Sequence, residues 1–186
     1  MIERIETWIL GLLAGGGRQA REIAFERIWR LYHRRILFFV RQWSAHEAED
    51  LTQEIMLKVF QGLDRFNPVY SFSTWIYAIA RYHCISHFTK KRPQVRAGFD
   101  AADSSVHFRE PDDPETKLLD GERDRLIESV LGTLDPDSRE MAFLKYYEGL
   151  KTRQIAVVFG LPEGTVKSRL HAIREKIKEG LRSHED

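Results

Sequence analysis

Cysteine is almost missing from this chain. Its one thiol, Cys84, cannot build an internal disulfide framework or a multi-cysteine zinc module, and a lone cysteine fits a reducing, cytoplasmic setting. Long hydrophobic runs are missing too: every apolar stretch falls far short of the ~20 residues of a membrane helix, so no membrane insertion is expected. The N-terminus lacks the basic start, apolar core and small-residue cleavage site of an export signal. Met1–Ala14 (MIERIETWILGLLA) instead carries acids and a tryptophan and reads as a mature helix. An excess of either charge is missing as well, since 29 Lys and Arg against 28 Asp and Glu leave +1. Finally, no run sustains apolar–polar alternation between hairpin turns, which removes support for a sheet.

What remains is helical and divided. The 186 residues are 42% hydrophobic and 31% charged, a composition for one large or two small folded domains. Charge resolves along the chain. Residues 1–93 hold 14 basic and 9 acidic side chains (+5), residues 94–121 hold 3 and 7 (−4), and residues 122–186 hold 12 and 12 (0). The middle block is rich in acids and small residues, contains prolines and has little helical period, so it reads as an acidic linker, a solvated tether. The expected architecture is all-α: helical domains at 1–93 and 122–186 joined by a flexible linker at 94–121, the second domain a helix-turn-helix.

In the first domain, Phe25, Ile28, Trp29, Tyr32, Ile36, Phe39 and Val40 repeat with helical spacing and predict a helix from Phe25 to Trp43. Ala48, Leu51, Ile55, Val59 and Leu63 predict a second, over Glu47–Leu63, with acids Glu47, Glu49 and Asp50 at its favourable end. Asn67-Pro68 breaks the chain. A third helix, about Ser73 to Thr89, ends at the basic run Lys90-Lys91-Arg92. The second domain starts near Glu122. Asp135-Pro136 supplies an N-cap and a first-turn proline, and Gly149 and Gly160 end two helices.

Thr152 to Leu170 (TRQIAVVFGLPEGTVKSRL) has the spacing of a helix-turn-helix. Ala156 is the small residue where the first helix meets the second, Gly160 the turn four positions on, and Val166 the branched anchor of the second helix. Ile155, Phe159, Leu161 and Leu170 supply the small core. Lys167, Ser168, His171 and Arg174 then fall on the outer face, and six basic residues against two acids between Gly164 and Arg182 give it a local +4, suited to phosphates and base edges. A helical hairpin with an ordinary charged face is the competing explanation.

Phe60 to Phe88 holds eight of the chain's 21 aromatics: Phe60, Phe66, Tyr70, Phe72, Trp75, Tyr77, Tyr82 and Phe88. Arg81 to Arg96 follows with five basic residues and no acid. Aromatics beside positive charge suit unpaired bases, which stack on rings while the backbone tracks the charge. Phe60, Phe72, Trp75 and Ile79 share one helical stripe and read as core. Tyr70, Tyr77 and Tyr82 are candidates for nucleic-acid contact, with core packing as the alternative for each.

Three segments, AEDLTQEIMLKVFQGLDRF (48–66), FSTWIYAIARYHCISHFTKKR (72–92) and GTVKSRLHAIREKI (164–177), stand in an order and spacing that resembles the bacterial extracytoplasmic-function sigma factors. The resemblance covers about residues 25–93 and 122–181. The last segment alone also resembles the DNA-binding domain of two-component response regulators.

The sigma resemblance implies specific roles. Asp50, Gln53, Glu54 and Lys58, on the polar side opposite Leu51, Ile55 and Val59, would dock on the clamp coiled coil of core RNA polymerase. Asn67, Val69, Tyr70 and Ser71 belong to the loop that captures a base flipped from the −10 element, and a fitted pocket offsets the few kcal/mol of lost stacking. Tyr77, Arg81, Tyr82, Lys90, Lys91 and Arg92 would lie along the melted strand. Lys145, Thr152, Arg153, Thr165, Lys167, Ser168, Arg169, His171 and Arg174 would meet the −35 duplex, with the second domain beside the polymerase flap. The acidic linker would thread toward the RNA exit path, and an anti-sigma factor is the further partner implied, in a stress or envelope response. This chain departs from the family at Tyr82, where Asn is common, and in Gly15-Gly16-Gly17, which replaces a charged turn. Its loop Asn67–Ser71 is more rigid and more apolar than usual, implying a shifted −10 preference.

His83, Cys84 and His87 form a tempting metal cluster, but Cys84 would face about 100° away from His83 on a helix. No metal, cofactor or catalytic constellation is expected, and no enzyme activity. Two other classes compete with the sigma reading: a dimeric response-regulator-like activator that binds duplex DNA without polymerase, and a protein-interaction adaptor that touches no DNA. Salt separates the last. If Lys167, Arg169 and Arg174 neutralise phosphates, removing each charge reduces the log–log salt slope of DNA binding by roughly 0.9; equilibrium titrations in which no variant changes the slope favour the adaptor.

Overall fold

The computed structural model describes residues 17–91 and 129–182, together with Gly11. The linker at 94–121, Arg92, the expected domain start at Glu122 and all of Met1–Ala14 except Gly11 lie outside the described residues. Every regular element among the described residues is helical.

The first helix, α1 (Arg18–Arg41), starts at Arg18 rather than at Phe25. No breaker separates Gly17 from Phe25, and the exposed pairs Arg18–Glu22 and Glu26–Arg30 stand four residues apart, the spacing that supports an isolated turn. Helix α2 (Ala48–Gly62) carries Glu49 and Asp50 in its first turn, where the helix dipole favours them. A short 3₁₀ turn (Leu63–Arg65) ends it. Helix α3 (Phe72–Lys91) is opened by Ser71, whose Oγ accepts the Thr74 N–H at 3.2 Å. Ile28, Ile36 and Phe39 from α1, Leu51, Ile55 and Val59 from α2, and Phe72, Ile76 and Ala80 from α3 form the buried centre. Burying each large side chain contributes about 1.5–3 kcal/mol relative to leaving it in water. Tyr32 joins them because its hydroxyl meets Ser73 Oγ at 3.0 Å.

In the C-terminal half, α4 (Pro136–Ala142) begins as expected: Asp135 Oδ1 accepts the Ser138 N–H at 3.0 Å. The chain then widens into a π-helical turn (Phe143–Tyr147), which sequence periodicity does not announce. The wide turn hands the Glu148 N–H to Phe143 O at 3.1 Å and leaves the Glu148 side chain buried. Gly149 takes a left-handed φ of 69°, and α5 (Thr152–Phe159) and α6 (Glu163–Arg182) follow.

These two halves do not stand apart. α3 packs along α5, and one continuous cluster of buried side chains runs through both. Phe143 sits with its ring 6.0 Å from Phe39 and 6.3 Å from Tyr77. No helix among the described residues is long and apolar enough to cross a membrane.

Candidate nucleic-acid interface

The helix-turn-helix geometry follows from its three key residues. Gly160 adopts φ 64°, ψ 32°, its N–H bonds to Val157 O at 3.2 Å and the Leu161 N–H to Ala156 O at 3.0 Å. That pair of bonds is the Schellman ending, which wants a residue without Cβ strain at this point. Ala156 is buried and Val166 completely so, which pins α6 across the end of α5. Lys167, Ser168, Arg169, His171 and Arg174 all lie exposed on α6, as does Thr165. Ser168 Oγ donates to Gly164 O at 3.0 Å, and Arg174 contacts His171 Nδ1 at 3.2 Å. Arg153 is exposed on α5, with Thr152 partly covered. Lys145 is also partly covered and reaches Leu150 O at 3.5 Å.

On α2, Asp50, Gln53, Glu54 and Lys58 form one exposed face opposite buried Leu51, Ile55 and Val59. The face is braced from below, because His83 Nε2 on α3 meets Glu54 Oε2 at 2.8 Å. Burial lowers the His83 pKa, against the raising effect of Glu54. His87 approaches Glu47 at 3.4 Å and Cys84 is fully buried, its thiol pushed well up by burial, so the two histidines of the tempting metal cluster point to different carboxylates and the thiol lies in the core.

The loop at 67–71 is self-supported. Asn67 Oδ1 accepts the Val69 N–H at 3.0 Å and Asn67 O accepts the Tyr70 N–H at 3.2 Å, a turn that leaves Val69 80% and Tyr70 45% exposed. On α3, Tyr82 is 75% exposed and Lys90 is exposed. The side chain of Lys91 lies outside what is described.

Two of the residues expected along a melted strand are elsewhere. Tyr77 is fully buried between Phe39 and Phe143, so it is a core side chain here and not a stacking platform. Burial raises its hydroxyl pKa well above the ordinary value, and the Glu148 charge adds to this. Arg81 is not free to track a phosphate backbone. Its Nη2 donates to Asp137 Oδ1 at 2.8 Å and its Nε to Glu140 Oε2 at 3.0 Å, and the guanidinium lies 4.0 Å from the Phe159 ring centroid. Ser71 is held as well, its Oγ accepting from Gln154 Nε2 at 2.6 Å. Farther along the seam, Arg35 Nη1 meets the buried Glu148 Oε2 at 3.2 Å. A cleft of about 480 Å³ opens beside it, between Tyr70, Ser71, Thr74, Lys151 and Arg153. Asp137, Glu140, Arg35, Glu148 and Gln154 are the residues that sequence reasoning missed. Their only advance signal was a pair of acids spaced three apart in the first turns of an otherwise ordinary helix.

Comparison with known proteins decides between the readings. The family model Sigma-70 region 2 matches residues 27–94, and Sigma-70, region 4 matches residues 124–177. The chain is 29% identical over 167 residues to the ECF RNA polymerase sigma factor SigW of Bacillus subtilis, spanning 87% of this chain and 86% of that protein. It is 27% identical over 168 residues to the ECF RNA polymerase sigma-E factor of Haemophilus influenzae, spanning 87% and 89%. The chain belongs to the extracytoplasmic-function sigma factors. It is therefore an alternative RNA polymerase sigma factor, and neither match speaks for the response-regulator-like activator. The fold agrees with that of a solved sigma factor RpoE, in complex with the anti-sigma factor NepR from Bartonella quintana. The TM-score is 0.65 at 24% identity, over 85% of this chain and 96% of that one. CnrH in complex with the cytosolic domain of CnrY has the same fold, with a TM-score of 0.64 at 18% identity over 96% and 98%.

The seam of this sigma factor carries a titration signature. Burial pushes the Glu140 carboxyl up to about 8, with Arg81 pulling it down and Asp137 adding to the rise. A carboxyl raised in the folded chain binds its proton there over a range where the unfolded chain has lost it. Stability from this group is therefore full below the ordinary carboxylate pKa and is lost as pH rises through about 8. Urea unfolding at about pH 6 and about pH 9 is expected to give a lower midpoint at the higher pH, and Glu140→Gln to flatten the difference. An unchanged pH dependence in Glu140→Gln contradicts the assignment.

Proposed function

We propose that this sigma factor docks on the clamp coiled coil of core RNA polymerase through Asp50, Gln53, Glu54 and Lys58, and brings it to promoters of a stress or envelope regulon. The helix α6 enters the major groove of the −35 element, with Lys167, Ser168 and His171 at the base edges and Arg169 and Arg174 toward phosphates. Thr152 and Arg153 approach the same duplex from α5, beside the polymerase flap. At the −10 element, the loop at 67–71 receives the flipped base and Tyr82 stacks on the neighbouring strand beside Lys90. The acidic block at 94–121 separates the two DNA-binding domains and runs toward the RNA exit path. The reading makes the protein a cytoplasmic transcription initiation factor with no catalysis of its own. RpoE is held by the anti-sigma factor NepR, and a protein of that class is proposed as this chain's regulator as well.

The observation that carries the −10 assignment is Tyr82. It is 75% exposed on a helix whose other aromatics are buried or half-buried against the core. A bare ring of that size beside basic residues offers a stacking face at no further ordering cost to the backbone. Run-off transcription with core polymerase and genomic promoter fragments tests the function, and failure to support any specific transcript overturns it. Within that assay Tyr82→Ala is expected to lose roughly five- to 150-fold in promoter opening, from about 1–3 kcal/mol of stacking, while closed-complex duplex binding is retained. Permanganate reactivity of the melted bubble reports the difference; reactivity equal to that of the parent chain returns Tyr82 to a structural role.

A further inference from the structure

We propose that His83 is a positioning residue for polymerase docking: from α3 it holds the Glu54 carboxylate at a fixed place on the exposed face of α2. The proposal rests on the docking role of Asp50, Gln53, Glu54 and Lys58. It adds the side chain that orders one of the four and the proton that tunes it.

A glutamate on an exposed helix face samples several rotamers, and a partner that needs one of them bears the cost of ordering it. Glu54 is 56% exposed, yet its Oε2 lies 2.8 Å from Nε2 of His83, whose side chain is only 12% exposed. The imidazole is enclosed where α3 packs on α2, so the carboxylate is the part being held. An ionised carboxylate only accepts, which puts the hydrogen on His83 Nε2. One turn along α3, His87 Nε2 meets Glu47 Oε1 at 3.4 Å, at the start of α2. Two histidines four apart on α3 thus reach two acids seven apart on α2, and both spacings return to one face of a helix. Contact at two points also holds α2 against turning about its own axis.

The proton state of His83 decides how much charge Glu54 presents. Asp50 and Glu54 stand four apart on the docking face and call for cations on the partner. A neutral imidazole donates to Glu54 and leaves its negative charge available. An imidazolium pairs with the carboxylate and offsets that charge. Burial lowers the His83 pKa, Glu54 opposes the shift, and Lys58 on α2 and His87 on α3 add to it. His83 is therefore neutral at neutral pH, and docking weakens as pH falls through its depressed pKa.

Equilibrium titration of the full-length chain with core RNA polymerase, at about pH 7.5 and about pH 5.8, brackets the histidine range and tests this. At the higher pH, His83→Ala frees the carboxylate and is expected to weaken binding about two- to twelvefold, the cost of ordering one long side chain. His83→Gln keeps a donor near the place of Nε2 and is expected to recover most of that loss. The parent chain is expected to bind more weakly at the lower pH, and His83→Gln, which takes up no proton, to lose less. His83→Gln as weak as His83→Ala, or falling with acid as steeply as the parent, overturns the proposal. So does a His83→Ala chain that binds as tightly as the parent. Glu54→Ala separates the two levels: if it binds core as tightly as the parent, the docking face itself is wrong and the role of His83 goes with it. If Glu54→Ala is weak while His83→Ala is not, only the positioning role is lost.

Discussion

The contact between the two helical halves depends on one cation placed between two acidic side chains and an aromatic ring. Arg81 is buried at the line where α3 meets α4 and α5, and without the acids of Asp137 and Glu140 its charge would have no compensation there. Removing one partner from such a buried pair costs about 3–5 kcal/mol, because the other is left desolvated. The apolar contacts around it, Phe39 and Tyr77 on Phe143 and the ring of Phe159, are arranged so that the charges are covered yet satisfied. Hydrophobic burial supplies most of the attraction between the halves, and the directional bonds at Arg81 and Arg35 set their register.

The same constraint sorts the side chains expected to meet partners into exposed and engaged ones. The α2 face of Asp50, Gln53, Glu54 and Lys58, the ring of Tyr82, and the outer side of α6 are exposed in the closed chain. Ser71, Tyr77 and Arg81 are engaged. The near-neutral total of +1 fits the same logic. Basic groups in the first half are partly neutralised by acids of the second, which leaves little free charge to hold DNA non-specifically.

Local patterns were legible in the sequence, and long-range partners were not. Ala156, Gly160 and Val166 announced the helix-turn-helix because its turn is fixed by short-range sterics: a small residue, a left-handed turn, a branched anchor. Asp135-Pro136 announced the start of α4 for the same reason. The early start of α1 at Arg18 was missed because apolar period, the cue used, is weak there while charged pairs four apart carry the turns. The π-turn at Phe143–Tyr147 has no signature that a 3.6-residue period reveals. Tyr77 was a candidate for DNA contact because aromatics next to basic residues suit bases, and Arg81 because of the family resemblance. Their partners across the seam lie more than fifty positions away in sequence, Phe143 for Tyr77 and Asp137 and Glu140 for Arg81, and no local pattern points to them.

A distance measured across the seam of the free chain tests the central contact most directly. Labels on cysteines introduced at Val69 and Lys151, exposed positions that line one cleft between the halves, report their separation, with Cys84 too buried to take label. A single short-distance population is predicted, lengthened by Arg81→Ala. A long or broad distribution in the parent chain would contradict the packed seam.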